Sequence, residues 1–317
     1  MEEAVEETHA GAIRSDGEGT IRGNGDLILV IGPEQVRLMV CSQVLRCASK
    51  VFDVMFGPHW SEGCDLSSTS PKEIPLEEDN ASAMRTICCV LHHRNDMVSD
   101  EPTPDEILKI AIEVDKYDLA VALKFQLAQW LQPPKTNPNQ PQLEMTDLGR
   151  LMAAAFILRK KDEFASYTLD LVMNYTGSYL DLLDEDTMNE SIPFKIVYLL
   201  EERRNQMRAD LWKLLLDGVK LGCTQPSRCA WRGSPVDSCR ELLDMFGPSK
   251  QFKNSISSMA EKIGGIHKVE SYQCGYKHHA EFKGYREDVE MAKTWATICT
   301  DCVQSGNYPT KCTFKHK

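Results

Sequence analysis

Between residues 26 and 57 the chain sets two short apolar strands directly before two short apolar helices, and that order restricts the fold more than any other feature. Asp26 to Ile31 is an apolar run, and Val36, Leu38 and Val40 alternate with Gln35, Arg37 and Met39 in a largely period-two pattern. Gly32-Pro33-Glu34 between them is turn chemistry, because glycine takes positive φ freely and proline has no N–H for a ladder. A hairpin is the expected result. Ser42 and Ser49 stand where a serine oxygen accepts the amide protons of a first helical turn, so each predicts a helix start. Val51, Phe52, Met55 and Phe56 then form an apolar stripe expected in the core. No polar side chain in this stretch is placed for catalysis.

Further on, Ile74-Pro75-Leu76 predicts a short strand, which its proline assigns to a sheet edge. Met84, Ile87, Cys88 and Leu91 make a helical stripe after Asp79-Asn80. Thr103-Pro104-Asp105-Glu106 is a helix start in which threonine caps, proline takes the first helical position and glutamate closes a capping box. That helix carries Ile107, Leu108, Ala111 and Ile112. Another, from about Leu119, carries Val121, Leu123, Phe125, Leu127, Trp130 and Leu131, and Pro133-Pro134 ends it.

Residues 26–132 resemble a BTB/POZ domain of the type abundant in filamentous fungi. The matching stretches are Gly25-Asp26-Leu27-Ile28-Leu29-Val30, Val44-Leu45 followed by Ala48-Ser49-Lys50-Val51-Phe52, and Met55-Phe56-Gly57-Pro58. Glu73-Ile74-Pro75-Leu76-Glu77-Glu78-Asp79, Leu91-His92-His93-Arg94-Asn95-Asp96 and Asp115-Lys116-Tyr117-Asp118 match as well. The resemblance covers about a third of the chain. It implies an α+β class: a BTB/POZ fold, with a small mixed sheet flanked by helices, followed by a mainly α-helical C-terminal region. It also implies a protein–protein interaction module without catalysis. Many members of the family self-associate, and some bind cullin-type ubiquitin-ligase scaffolds to present substrates. The implied partner is therefore another protein, either a second copy of the chain or a cullin scaffold. The implied contact surface comprises Asp26, Ser42, Val44, Leu45, Phe56, His92 and His93. Asp26 matches a family aspartate of a charged pocket, whereas Ser42 replaces its usual basic partner and Cys41 replaces a histidine.

Net charge of −11 argues against nucleic acid or an anionic membrane as partner, since both call for a basic face. Residues 1–25 are acidic and glycine-containing, with Glu2, Glu3, Glu6, Glu7, Asp16 and Glu18, and are expected to be a disordered lead-in. They lack a signal peptide's basic start and apolar stretch, and no segment approaches a membrane span, so the cytosol or nucleus is the expected compartment. That compartment is reducing, which argues against a disulfide framework among the twelve cysteines.

Residues 133–142 read as a Pro- and Asn-rich linker and 143–222 as a helical region. Leu148, Leu151, Met152, Ala155 and Phe156, then Phe164, Tyr167, Thr168, Leu171 and Val172, predict a helical hairpin. A longer helix follows from Pro193 to Leu221, with Glu201-Glu202-Arg203-Arg204 as a solvated face.

Residues 223–317 carry Cys223, Cys229, Cys239, Cys274, His278, His279, Cys299, Cys302 and Cys312. Cys274 with His278, and Cys299 with Cys302, have spacings that let two pairs meet one tetrahedral zinc ion. The alternative is packing, because cysteine behaves as a small hydrophobe. A structural zinc would favour a different function, a transcriptional or chromatin regulator with a metal-stabilised tail. Basic residues beyond Lys250 are broken up by Glu281, Glu287, Asp288 and Glu290, which reads as a solvated helix and not a nucleic-acid surface. The chain has no nucleophile elbow, no His-Glu-x-x-His and no phosphate loop, so neither catalytic nor cofactor-binding residues are expected. Of the adjacent His92 and His93, one is expected to face in and one out.

Overall fold

The computed structural model describes residues 19–57, 61–64, 66–133, 143–220, 253–269 and 285–306. The acidic stretch 1–18, linker residues 134–142, and Cys223, Cys229, Cys239, Cys274, His278, His279 and Cys312 lie outside the described residues. The described residues form a mixed α+β structure of one three-stranded sheet and twelve helices. The chain divides into two compact units, residues 1–100 with 113–124, and residues 101–112 with 125–317.

In the first unit, β1 (Leu27–Ile31) pairs antiparallel with β2 (Val36–Val40) through the predicted hairpin. Gly32 turns the chain at φ 69°, and Gln35 N–H donates to its carbonyl at 3.1 Å. β3 (Lys72–Leu76) lies parallel to β1 on the other side, giving the order β2-β1-β3. Pro75 thus falls on an edge strand, where its missing N–H costs no internal ladder bond. Leu27, Leu29 and Ile31 are fully buried on one face of β1, with Leu38 and Val40 beside them. The other face is half-buried, and there Arg37 of β2 reaches across β1 to Glu73 of β3 in a two-pronged ion pair. Both partners are about half exposed, so the pair contributes under ~1 kcal/mol.

The expected free lead-in stops short of residue 25. Thr20 forms a parallel bridge with Met39, Met39 N–H donates to Gly19 O at 3.0 Å, and Ile21 is 2 % exposed. Gly25 explains the close approach: a Cβ there would sit 2.4 Å from Val40 O. The polar composition of the segment hides one apolar anchor, Ile21, which is buried beside the backbone bonds to Met39.

Helix α1 (Ser42–Ala48) and helix α2 (Lys50–Met55) follow β2. Ser49 caps α2 by accepting from Phe52 N–H at 3.1 Å, and its own hydroxyl donates to Tyr117 O. Phe52 and Phe56, one turn apart, stack on each other with centroids 5.5 Å apart, and Phe52 stacks on Tyr117 at 4.4 Å. Val51 does not join them. It is exposed, and Val54 beside it is 60 % exposed, because a six-residue helix offers the core one narrow stripe and the phenyl rings fill it.

Helix α3 (Ala81–Leu91) is capped by Asn80, whose side chain accepts from Ala83 N–H at 3.0 Å. Helix α4 (Pro104–Lys116) opens with the predicted capping box: Glu106 N–H donates to Thr103 Oγ1, and Thr103 N–H to Glu106 Oε2 at 2.8 Å. The division of the chain falls within α4, between Ile112 and Glu113.

Helix α5 (Lys124–Trp130), whose residues from Phe125 on belong to the second unit, buries Leu127 and Trp130 and leaves Phe125 exposed. Val121, in the first unit, is exposed too. The expected run from Leu119 therefore splits, since Leu119, Leu123 and Leu127 recur every fourth residue and Val121 and Phe125 fall outside that row. Helices α6 (Met145–Ile157) and α7 (Lys161–Asn174) form the predicted hairpin, with Met152, Phe164, Tyr167 and Leu171 fully buried. Tyr167 OH donates to Leu131 O at 3.2 Å, and Tyr179 OH to Leu171 O at 2.9 Å. Helix α8 (Asp186–Ser191) precedes the long α9 (Phe194–Lys220). Helices α10 (Ile256–Val269) and α11 (Tyr285–Ala296) pack on α7 and α9, and α12 (Thr300–Ser305) packs on α7.

The solvated face expected on α9 is half wrong. Arg203 and Arg204 are buried, and the Arg204 guanidinium lies 4.2 Å from the Tyr179 ring centre and donates to Gly177 O at 2.6 Å. A planar, weakly hydrated cation stacks on an aromatic ring at modest desolvation cost, and charge alone does not reveal this. Among the described residues no helix is long and apolar enough to cross a membrane.

Helices α3, α4 and α6 end in the same way, each with a non-glycine residue at positive φ: His93 at 59°, Asp118 at 50° and Arg159 at 54°. In each case the next residue donates back to the carbonyl five positions earlier, as Arg94 does to Cys89 O at 2.8 Å. The geometry favours glycine, because a Cβ is strained there. Replacing any of the three with glycine is expected to stabilise the fold by about 0.5–1 kcal/mol, after offsetting the greater freedom of the unfolded chain. A denaturant midpoint that falls or stays constant in all three variants would contradict this.

Candidate interaction site

The seven residues expected at a contact surface do not share one surface. Leu45 and Phe56 are core residues, 0 % and 1 % exposed, and a partner could reach them only by opening the unit. Leu45 lies on the inward face of α1, and Phe56, the C-cap of α2, stacks on Phe52. Val44 is half-buried and His93 exposed.

Asp26, Ser42 and His92 are brought together, but as a closed set of hydrogen bonds. Cys41, not Ser42, is the N-cap of α1, and it supplies no side-chain cap. The cap comes instead from β1: Ser42 N–H donates to Asp26 Oδ1 at 2.8 Å, and Ser42 Oγ to Oδ2 at 2.6 Å. Cys41 N–H then donates to His92 Nε2 at 2.9 Å, and His92 Nδ1 lies 2.8 Å from Cys88 O. An amide only donates and a carbonyl only accepts, so the proton is on Nδ1 and the imidazole is neutral. Burial holds the His92 imidazole below its ordinary pKa range. The start of β1, the start of α1 and the end of α3 are thereby latched together.

A second polar cluster, which sequence reading missed, joins Asp79, Glu113, Lys116 and Tyr117. The Asp79 side chain is 1 % exposed and accepts from Lys116 Nζ and from Tyr117 OH. Glu113 Oε1 accepts from Asn80 N–H at 2.7 Å, while its buried Oε2 has no hydrogen-bond partner. Burial pushes the Glu113 carboxyl above its ordinary range, and the nearby Asp79 charge adds to the effect. Asp79 and Lys116 stand 37 residues apart in sequence. Only the fold reveals that they meet.

Thiol chemistry finds little support in α3. Burial pushes the Cys88 thiol up to about 12, and burial raises Cys89 too, so neither is a ready nucleophile. Of the zinc candidates, Cys274 and His278 lie outside the described residues, while Cys299 and Cys302 are buried next to each other. Among the described residues no group of three or more His, Cys, Asp or Glu is arranged to hold a metal ion.

The first unit also presents two neighbouring apolar side chains to solvent. Val51 and Val54 stand three residues apart on α2, exposed beside Lys50 and Asp53, with Gln43 and Cys47 exposed on α1. α1 and α2 pack on each other, and Arg46 on α1 pairs with Asp53 on α2 at 2.9 Å. No family model, no curated protein and no solved structure matches the chain.

Proposed function

We propose that the chain is a protein–protein interaction protein whose residues 26–132 act as a BTB/POZ-type module. One observation carries this reading: Asp26, Ser42, His92 and Asp79 of the first unit are engaged in internal hydrogen bonds, while two valines are left exposed on one short helix. A binding or catalytic pocket would show the reverse, with convergent polar groups open to a cavity and apolar groups withdrawn. The order of elements supports the same reading. A hairpin runs into two short helices, the next strand lies parallel to β1, and a capped helix follows, in step with the resembling stretches.

The module serves as an adaptor or as a self-associating scaffold, and the narrower role is to present substrates to a cullin-type ubiquitin ligase. The test combines solution mass of the full chain with affinity capture from native extract, using wild type and a Val51→Glu/Val54→Glu variant. The expected result is a dimer, or reproducible capture of one partner, weakened at least tenfold by the double substitution with thermal stability unchanged. Recovery of a cullin scaffold identifies the ligase role. A monodisperse monomer without a reproducible partner overturns the proposal.

A further inference from the structure

A groove of about 480 Å³ opens at the outer edge of β2, lined by Gly19, Val36 and Arg37 and by Arg85 of α3. β2 is an edge strand, and the described residues cover only part of that edge. Met39 N–H donates to Gly19 O at 3.0 Å, and Ile21 N–H donates to Met39 O at 3.2 Å. Alternate residues of a strand turn their N–H and C=O to the same side, so the backbone of Arg37 faces outward too. An edge of this kind is a template for one more strand.

The groove is also short of negative charge. Arg37 commits its guanidinium to Glu73 across the sheet. Arg85 is half-buried and makes no hydrogen bond or ion pair with any described residue. A guanidinium so placed fits a carboxylate, which it can hold through two parallel bonds. The chain itself brings carboxylates to this spot. It reaches the groove at Gly19, and the residues just before are Asp16, Gly17 and Glu18, in a stretch 1–18 with six acidic side chains and one arginine.

We propose that the acidic segment before Gly19 docks in this groove within its own chain, adding a parallel strand to the β2 edge and setting a carboxylate of Asp16 or Glu18 against Arg85. The parallel bridge between Thr20 and Met39 gives the direction, and the same register continued by two residues sets Glu18 opposite Arg37. Gly19 suits this course, since a Cβ on it would stand 2.6 Å from Arg37 O. The segment is tethered at the wall of the groove, so its effective concentration there far exceeds that of a free acidic peptide. It thereby closes the edge to strand addition by another chain.

The test is amide hydrogen exchange on the full chain, read in peptides that cover residues 14–18 and 35–38, with the amides of α3 as the control for folding. Exchange in both regions is expected to be slower in wild type by about tenfold or more than in Arg85→Glu or in Asp16→Lys/Glu18→Lys. Combining the three substitutions reverses both signs and should restore the protection, while α3 stays protected throughout. Should Arg85→Glu unfold α3, Arg85→Gln takes its place. The proposal is overturned if residues 14–18 exchange at the unprotected rate in wild type, or if their protection is indifferent to Arg85. Protection that grows with protein concentration overturns it too, by placing a second copy's segment in the groove. So does binding of an added polyglutamate peptide to wild type, which would leave the groove to another protein's acidic segment.

Discussion

Replacing Lys116 with methionine is expected to destabilise the first unit by about 2–4 kcal/mol, more than Asp79→Asn, although Lys116 is the more exposed partner. The order follows from what each change leaves behind. Asp79 is 1 % exposed at its side chain, and without Lys116 its negative charge stays buried beside Glu113 with only Tyr117 OH to hold it. Asp79→Asn removes the charge and keeps an oxygen for the tyrosine, so it costs about 1–2 kcal/mol. The estimate for Lys116→Met sits below that for a fully buried pair because the ammonium side is 42 % exposed and already partly hydrated. Urea midpoints at pH 7 measure both losses. Equal losses for the two variants would remove this account.

The contrast between that cluster and the helix starts shows how far the sequence could be read. The capping box of α4 was legible because Thr103, Pro104 and Glu106 are neighbours and their chemistry closes locally. The hairpin and the edge placement of Pro75 were legible for the same reason: turn residues and a missing N–H act within a few residues of themselves. The cap of α1 was not. Its acceptor, Asp26, comes from the start of β1, and Ser42, which resembles a cap, is the group being capped. Val51 and Phe52 show a second limit. Both are apolar and adjacent, and which one the core takes depends on where the Tyr117 ring stands. Arg204 shows a third, because a guanidinium reads as surface until a ring such as Tyr179 is found beneath it. At the candidate site the opposite facing of His92 and His93 was legible, whereas the withdrawal of Leu45 and Phe56 into the core was not.

His92 carries the second large effect, and its two ring nitrogens allow packing to be separated from hydrogen bonding. His92→Ala removes the ring and both polar contacts and is expected to cost about 2–4 kcal/mol. His92→Phe refills most of the volume but leaves Cys41 N–H without an acceptor, for about 1–3 kcal/mol. The wild type also carries a pH signature that neither variant retains. Burial holds the folded imidazole below its unfolded value, so the unfolded chain binds a proton first as pH falls. The contribution of His92 is therefore complete above pH ~6.5 and is lost progressively as pH falls toward the folded value, by at most ~1.4 kcal/mol per pH unit. Protonation also occupies the Nε2 lone pair that Cys41 N–H needs, so the latch between α1 and α3 opens with the charge. Glu113 titrates with the opposite sign, because burial raises its carboxyl and its protonation relieves strain. The informative quantity is accordingly the difference between wild type and His92→Phe, measured from pH 7.5 to pH 5. That difference should shrink steadily below pH 6.5. A difference that stays constant across the range would mean that His92 binds its proton equally in the folded and unfolded chain, and one that grows as pH falls would mean that it is charged in the folded protein.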